Sequence, residues 1–229
     1  MNNKNLNNSV LVVAAHPDDE ILGVGGTILK HVKTGDRVSI LVLGDGESSR
    51  PGAALADIKK REAQIKKAAR ALGALNIFIE KFPDNKFDSL SLLEIVKVIE
   101  KVINKVKPRV VYTHHAYDLN IDHCLTSQAV LTACRPQPNF CVKKILAFET
   151  LSSTEWQLKD QSNTFCPTEY IDISSYIEKK IEIFKIYKGE VKKYPHPRSL
   201  MGVKILAQYR GMGVGYRYAE AFTVIRILG

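Results

Sequence analysis

The sequence predicts an α/β fold, a mostly parallel sheet with helices on both faces. Three observations carry that expectation. Val10-Leu11-Val12-Val13-Ala14 is a continuous β-branched and apolar run, the pattern of a strand buried on both faces. Similar short runs alternate with amphipathic stretches, giving the order β-α-β-α-β-α-β up to Thr113. Turn residues, among them Gly35-Asp36, Gly73 and Pro108, fall between these stretches.

Taken in order, Val10 to Ala14 is the first strand, and Ile21 to Val32 reads as a helix in which Gly25-Gly26 permits close backbone approach. Arg37 to Leu43 is a second strand, with Gly44 to Ser49 as the loop at its end. Ala54 to Leu72 is a long amphipathic helix stopped by Gly73. Ile77-Phe78-Ile79 is a short strand, Phe82 to Asn85 a loop, and Leu90 to Lys105 a helix. Pro108 introduces the strand Arg109 to Thr113; a polar loop follows, then a helix from Cys124 to Ala133 closed by Arg135-Pro136. Lys144 to Phe148 is a strand and Tyr176 to Tyr187 a helix. The segment Tyr194 to Ser199 precedes a helical stretch to about Arg210, and a glycine-rich turn leads into the last strand. With no repeat, linker or low-complexity region, residues 1–229 read as a single Rossmann-like domain.

Composition narrows the class. With 229 residues, 45% hydrophobic and 25% charged, the chain is of ordinary globular type and long enough for a real core. No apolar stretch approaches a membrane span, so stable membrane insertion is not expected. The polar start, MNNKNLNNS, lacks an apolar signal core, which points to the cytoplasm. Cys124, Cys134, Cys141 and Cys166 form no CxxC pair and read as reduced thiols. The formal charge of +9 raises nucleic acid, membrane surfaces and anionic substrates as partners. The lysines are spread along the helices and no nucleic-acid signature is present, so a solvated face is the plainer reading. Attraction of a phosphorylated substrate is the alternative reading of the charge.

The chemistry is concentrated in two clusters, each at the carboxyl end of a strand. The first, Ala15-His16-Pro17-Asp18-Asp19-Glu20, places one imidazole and three carboxylates where uncompensated charge is costly. A divalent metal resolves that cost, and histidine with carboxylate is a zinc set. The second runs Thr113-His114-His115-Ala116-Tyr117-Asp118-Leu119-Asn120-Ile121-Asp122-His123. In an open parallel sheet the ends of such strands converge. Two ligands from one cluster and one from the other would leave a coordination position for water, and a carboxylate outside the metal shell could take that water's proton.

AHPDDE near the start, an NxDH motif about a hundred residues on and a late Ala219-Glu220-Ala221-Phe222 together resemble the PIG-L, or LmbE-like, zinc-dependent N-deacetylases, over roughly residues 8 to 225. The resemblance implies removal of acetyl groups from N-acetylglucosamine-type amino sugars carried on lipids, inositols or small acids. By position it makes His16, Asp19 and His123 the metal ligands and Asp18 the general base. It implies zinc, although two histidines and one aspartate also accept Fe(II), Co(II) or Mn(II). It allows a homo-oligomer and a role in glycoconjugate biosynthesis.

One position departs from the family. Many members have His-x-Asp-His, whose first histidine stabilises the developing oxyanion, where this chain has Asn120-Ile121-Asp122-His123. An asparagine amide can donate a hydrogen bond there but cannot be a cation. His115 or His114 on the same loop, or His196, are the other candidates. Asp122 reads as an orienter of a ligand imidazole, and Glu20 as a favourable charge at a helix N-terminus.

For substrate binding, Arg61 matches a sugar-contacting arginine of the family, against a helix-surface ion pair as the alternative. Asp84 falls where the family places a sugar-facing residue, against a turn role. Ser48, Ser49 and Arg50 lie on a rim loop. His196 and Arg198 lie in the Pro-His-Pro-Arg-Ser segment, and Arg198, Arg210 and Arg217 could bind an anionic group. Trp156 suits either sugar stacking or the core.

Three other readings compete. A dinucleotide-binding module would need a glycine-rich turn where this chain has carboxylates. A catalytically weakened metal- or sugar-binding module is motivated by Asn120. A deacylase of a non-sugar amide, or of another acyl group, keeps the same metal chemistry.

Overall fold

The computed structural model describes residues 8–138, 140–160 and 162–229. Most of the polar N-terminal stretch lies outside the described residues. The elements are β1 (Ser9–Ala14), α1 (Asp19–Lys33), β2 (Arg37–Gly44), α2 (Leu55–Leu72), β3 (Asn76–Phe82), α3 (Leu92–Val106), β4 (Val110–His114), α4 (Ile121–Ala133), β5 (Lys144–Phe148), β6 (Glu169–Asp172), α5 (Ile177–Phe184), α6 (Leu200–Met212) and β7 (Ala219–Ile227). Seven strands form one sheet in the order β3-β2-β1-β4-β5-β7-β6. The first five are mutually parallel, and β7 runs antiparallel to both β5 and β6.

The pleat divides the apolar residues between two cores. Val10, Val12, Val38, Ile40 and Val42 face a core shared with α1, α2, α5 and α6. Leu11, Val13, Ala15, Leu41 and Leu43 face the opposite core with α3 and α4. Strands covered on both sides read as unbroken apolar runs, which is why the central strands were legible in the sequence. α2 ends at Gly73, whose φ of 78° is the left-handed cap. No helix of the described residues is long and apolar enough to cross a membrane.

Several elements differ from the sequence expectation; β3, for one, runs Asn76–Phe82 rather than Ile77 to Ile79. α4 begins at Ile121, three residues early, because the Asn120 side chain accepts from the Asp122 N–H and caps the helix. Asp122 and His123 therefore sit on its rigid first turn, not on a loop. The expected helix Tyr176 to Tyr187 is shorter, Ile177–Phe184. β6 pairs only with the edge of β7, and its four half-buried residues carry no strong strand pattern.

α1 lies unusually close to the rest of the molecule. A Cβ on Gly23 would fall 2.2 Å from the Phe148 ring. The same close approach admits a buried ion pair, Lys180 Nζ to Glu220 Oε1 at 2.7 Å. Glu220 also accepts from the N–H groups of Gly26 and Thr27, and Lys180 donates to the Leu22 carbonyl. The glutamate of the Ala-Glu-Ala-Phe segment thus clamps the helix that opens at the first acidic cluster.

Candidate metal centre and catalytic pocket

β1 and β4 are adjacent, and their chains leave the sheet to opposite sides: β1 through α1 to β2, β4 through α4 to β5. This is the switch point of the sheet, where strand carboxyl ends open a crevice. His16 to Glu20 follow β1, and Asn120 to His123 follow β4.

Three ligand atoms converge there. His16 Nδ1 lies 3.2 Å from His123 Nε2 and 3.5 Å from Asp19 Oδ2, and His123 Nε2 lies 3.3 Å from that same oxygen. Ligands bound tetrahedrally at roughly 2.0–2.1 Å stand about 3.3 Å apart, so this triangle has the dimensions of one face of such a shell. The other oxygen of Asp19, Oδ1, is buried with no hydrogen-bond partner. Donor type, spacing and this orphaned oxygen all fit a divalent metal.

The outer ring atoms are held by carboxylates. His16 Nε2 lies 2.9 Å from Asp122 Oδ2 and 3.3 Å from Asp84 Oδ1. Asp122 Oδ1 accepts from the Phe87 N–H, which locks the carboxylate. His123 Nδ1 stands 3.1 Å from Asp118 Oδ1, without a well-aligned hydrogen bond. Asp118 is in turn bound by the Ser153 and Thr154 hydroxyls.

The electrostatics of the metal-free site point the same way. Burial works against a charged His16, but the Asp122 and Asp19 carboxylates outweigh it and raise His16 to about 10. His123 is raised to about 9, against its burial, by Asp19 and Asp118. Asp19, despite its burial, is held well below the usual carboxylate range by His123 and His114. The cluster thus sets carboxylates against His16 and His123, a setting that favours added positive charge.

Asp18 stands beside this triangle. It has φ 102° and ψ −25°, a left-handed backbone that costs a non-glycine residue about 1–3 kcal/mol. Its side chain is buried, and its Oδ2 accepts from Arg198 Nη1 at 3.1 Å. Burial pushes Asp18 up to about 8, with Arg198 opposing. Gly46, itself at φ 66°, packs on the same turn: a Cβ there would fall 2.6 Å from Pro17 Cδ.

The pocket over the site has a volume of about 170 Å3 and is lined by His16, Pro17, Asp18, Gly46, Ser49, Arg50, Asp84, Asn85, Asn120, Glu190 and Arg198. Asn120 is part of this lining, and its Nδ2 donates to Asn85 Oδ1 at 2.8 Å. Asp84 faces it while holding the Ser49 hydroxyl. Each arginine of the lining is met by carboxylates: Arg198 by Asp18 and Glu190, Arg50 by Glu47 and Glu190.

Other candidates are placed elsewhere. His114 is fully buried and stacks on His123 with ring centroids 4.0 Å apart. Its Nε2 accepts from the Ala15 N–H and its Nδ1 faces Thr150 Oγ1. Burial and then the neighbouring His123 hold it well below the usual histidine range, as a neutral ring. His115 points to the Asn163 carbonyl and packs on Tyr117 and Phe165. Arg61 is buried between Glu47 and Glu190, behind the pocket wall. His196 accepts from the Arg198 N–H and packs edge-on against the half-exposed Trp156. Arg210 is clamped by Glu149, and Arg217 lies over Tyr218.

Glu190, Glu47, Asn85 and Tyr187 were not singled out by sequence reasoning. Glu190 sits in the lysine-rich stretch Lys188-Gly189-Glu190-Val191-Lys192-Lys193. A lone acid within a lysine-rich stretch is the signal the sequence offers. The positive charge is likewise not in the pocket. Residues 55–72 and 177–193 hold twelve basic against five acidic side chains, +7 of the +9. Their lysines line a groove of about 620 Å3 between α2 and α5.

The profile of one protein family, PIG-L (GlcNAc-PI de-N-acetylase), matches residues 11–134. Diacetylchitobiose deacetylase of Thermococcus kodakarensis is 27% identical over 226 residues, 94% of this chain and 82% of that protein. Among solved structures, N,N'-diacetylchitobiose deacetylase from Pyrococcus horikoshii superimposes with a TM-score of 0.77 at 21% identity, covering 95% of this chain and 83% of that one. GalB, the 4-carboxy-2-hydroxymuconate hydratase of Pseudomonas putida KT2440, shares the fold at TM-score 0.72 and 22% identity, covering 97% and 98%. One fold thus serves a deacetylase and a hydratase, so the reaction must be argued from the site.

Proposed function

Since this chain belongs to the PIG-L family, we propose that it is a metal-dependent N-deacetylase acting on an N-acetylglucosamine-type amino sugar. The observation that carries the reading is the triangle of His16 Nδ1, Asp19 Oδ2 and His123 Nε2, with the buried Asp18 carboxyl beside it at the floor of an open polar pocket. Zinc suits two imidazoles and one carboxylate. Held by these three residues, it would act as a Lewis acid and lower the pKa of a bound water toward about 7.

The chain's own residues do the remainder. Asp18 takes the proton of the attacking water on its carboxylate and later delivers it to the departing nitrogen. Oxygen bonds to the acetyl carbon, the carbon–nitrogen bond breaks, and acetate and a free amine result. Arg198 Nη1 holds Asp18 Oδ2 and keeps the carboxylate aimed at the pocket. Asn120 supplies the amide donor for the tetrahedral oxyanion, because it is the pocket-facing side chain of its cluster, whereas His114 and His115 are bound elsewhere. Asp122 fixes the His16 ring from its far side.

Asp84, Asn85, Ser49 and Glu190 offer hydroxyl-binding groups, and the pocket arginines are already neutralised by carboxylates. The acceptor next to the acetamide is therefore a neutral, hydroxyl-rich sugar, and the lysines of the α2–α5 face do not bear on it. Arg61 acts behind the wall by holding Glu190.

Amine release from a panel of N-acetylated sugars tests the reading. The panel includes N-acetylglucosamine, its disaccharide, its nucleotide-diphosphate form and its inositol and malate conjugates, with Asp18→Asn as control. Turnover by the zinc-loaded protein, absent in the control at unchanged metal content, is the expected result. No turnover across the panel, with one metal bound per chain, would overturn it.

A further inference from the structure

We infer that Tyr187 and Glu20 are positioning residues that hold Asp18 in its reactive conformation. The inference rests on the reading of Asp18 as the base.

The Asp18 backbone is left-handed, the one position in the His16–Asp19 turn that an L-residue adopts reluctantly. A glycine would relieve the strain but would remove the carboxylate. Asp18 must therefore be held from outside. Glu20 does so: its Oε2 accepts the Asp18 N–H at 3.0 Å. A glutamate at the start of α1 could instead have rested on free amides of its own helix. Its carboxylate turns back because its other oxygen, Oε1, is taken by the Tyr187 hydroxyl at 2.6 Å. Tyr187 reaches it from the segment after α5, so the link joins parts of the chain that meet only in the folded protein.

Glu20 and Tyr187 are both buried, and the Arg61 guanidinium lies 6.0 Å over the tyrosine ring. Arg61 is also paired with Glu190, which meets Arg198 on the side-chain face of Asp18. Asp18 is thus gripped twice, at its amide by the Tyr187–Glu20 relay and at its carboxylate by Arg198. One wall of side chains supports both grips.

The test uses the full-length, metal-loaded protein and two readouts. The first is hydrogen exchange at the Asp18 amide, which needs no substrate. Tyr187→Phe removes one oxygen, and Asp18 exchange should accelerate at least about tenfold while the amides of β1 and β2 are unchanged. The second is kinetic: kcat should fall about tenfold with KM and metal content unchanged. Glu20→Gln keeps an acceptor for the Asp18 amide and should retain most of kcat, whereas Glu20→Ala should not. Glu20→Ala also serves if Tyr187→Phe does not fold. Wild-type exchange and kcat in Tyr187→Phe, with only a lower Tm, would overturn the inference and leave a purely structural hydrogen bond. If the wild type deacetylates nothing, the functional reading fails, and the exchange measurement still decides the positioning.

Discussion

His16 turns its two ring nitrogens in opposite directions, with Nε2 2.9 Å from Asp122 Oδ2 and Nδ1 in the triangle with Asp19 and His123. Asp122 is on α4 and His16 follows β1, so the contact crosses the switch point of the sheet. A carboxylate on Nε2 requires the proton there, which leaves the Nδ1 lone pair for a metal.

Asp122→Asn should therefore lose metal affinity by about 10- to 100-fold. The amide could offer His16 an N–H, favouring the wrong tautomer. Zinc titration against a competing chelator checks this, and unchanged affinity would remove Asp122 from the support of the site.

Metal uptake should release protons. His16 and His123 are both raised by the carboxylates around them, and their facing nitrogens, 3.2 Å apart, share a proton that must leave for both to ligate. The sign follows: affinity rises with pH. For the metal-free protein, these raised values contribute stability that is full below about 6.5 and is lost as pH rises through 9 to 10. Calorimetry in buffers of different ionisation enthalpy should count at least about one proton released per metal near pH 7. A count near zero would contradict the electrostatic account.

Asn120 has two separable roles. Its Oδ1 caps α4, and its Nδ2 donates to Asn85 Oδ1 within the pocket lining. Asn120→Asp keeps the cap acceptor but removes the donor, so Tm should hold while kcat falls about 100-fold. Asn120→Ala should lose both, with about 1 kcal/mol of stability gone as well. Equal kcat in Asn120→Asp and wild type would move the oxyanion donor elsewhere.

The clamp on α1 should dominate stability. Lys180→Met leaves the buried Glu220 carboxylate without its cation and should cost about 3–5 kcal/mol in denaturant unfolding. Gly23→Ala drives a Cβ into the Phe148 ring and should cost about 1–3 kcal/mol. Losses under 0.5 kcal/mol in both would mean that α1 does not depend on this close packing.

The strands could be read from the sequence because burial on both faces leaves an unbroken apolar run. Lys144 to Phe148 was bounded as observed, and β1 and β2 to within a residue. α4 starts three residues before the helix that the sequence pattern suggests, because its start is set by the Asn120 side-chain cap, which carries no apolar periodicity. β6 was missed because an edge strand of four half-buried residues carries little periodicity.

The two acidic clusters and their position at strand ends were properties of the sequence alone. So much acid and imidazole at the ends of apolar strands makes a cation site an expectation before any fold is known. Which atoms converge was decided by the tertiary structure, since only the pairing of β1 with β4 brings His16 within 3.2 Å of His123. The sequence raised Arg61 as a sugar contact, and the fold sets it behind Glu190; it left Tyr187 as a helix end, and the fold sets it on Glu20. Local pattern determines what each segment must bury. The partner each polar group finds is a long-range contact, set by how the helices dock on the sheet, and no local pattern encodes it.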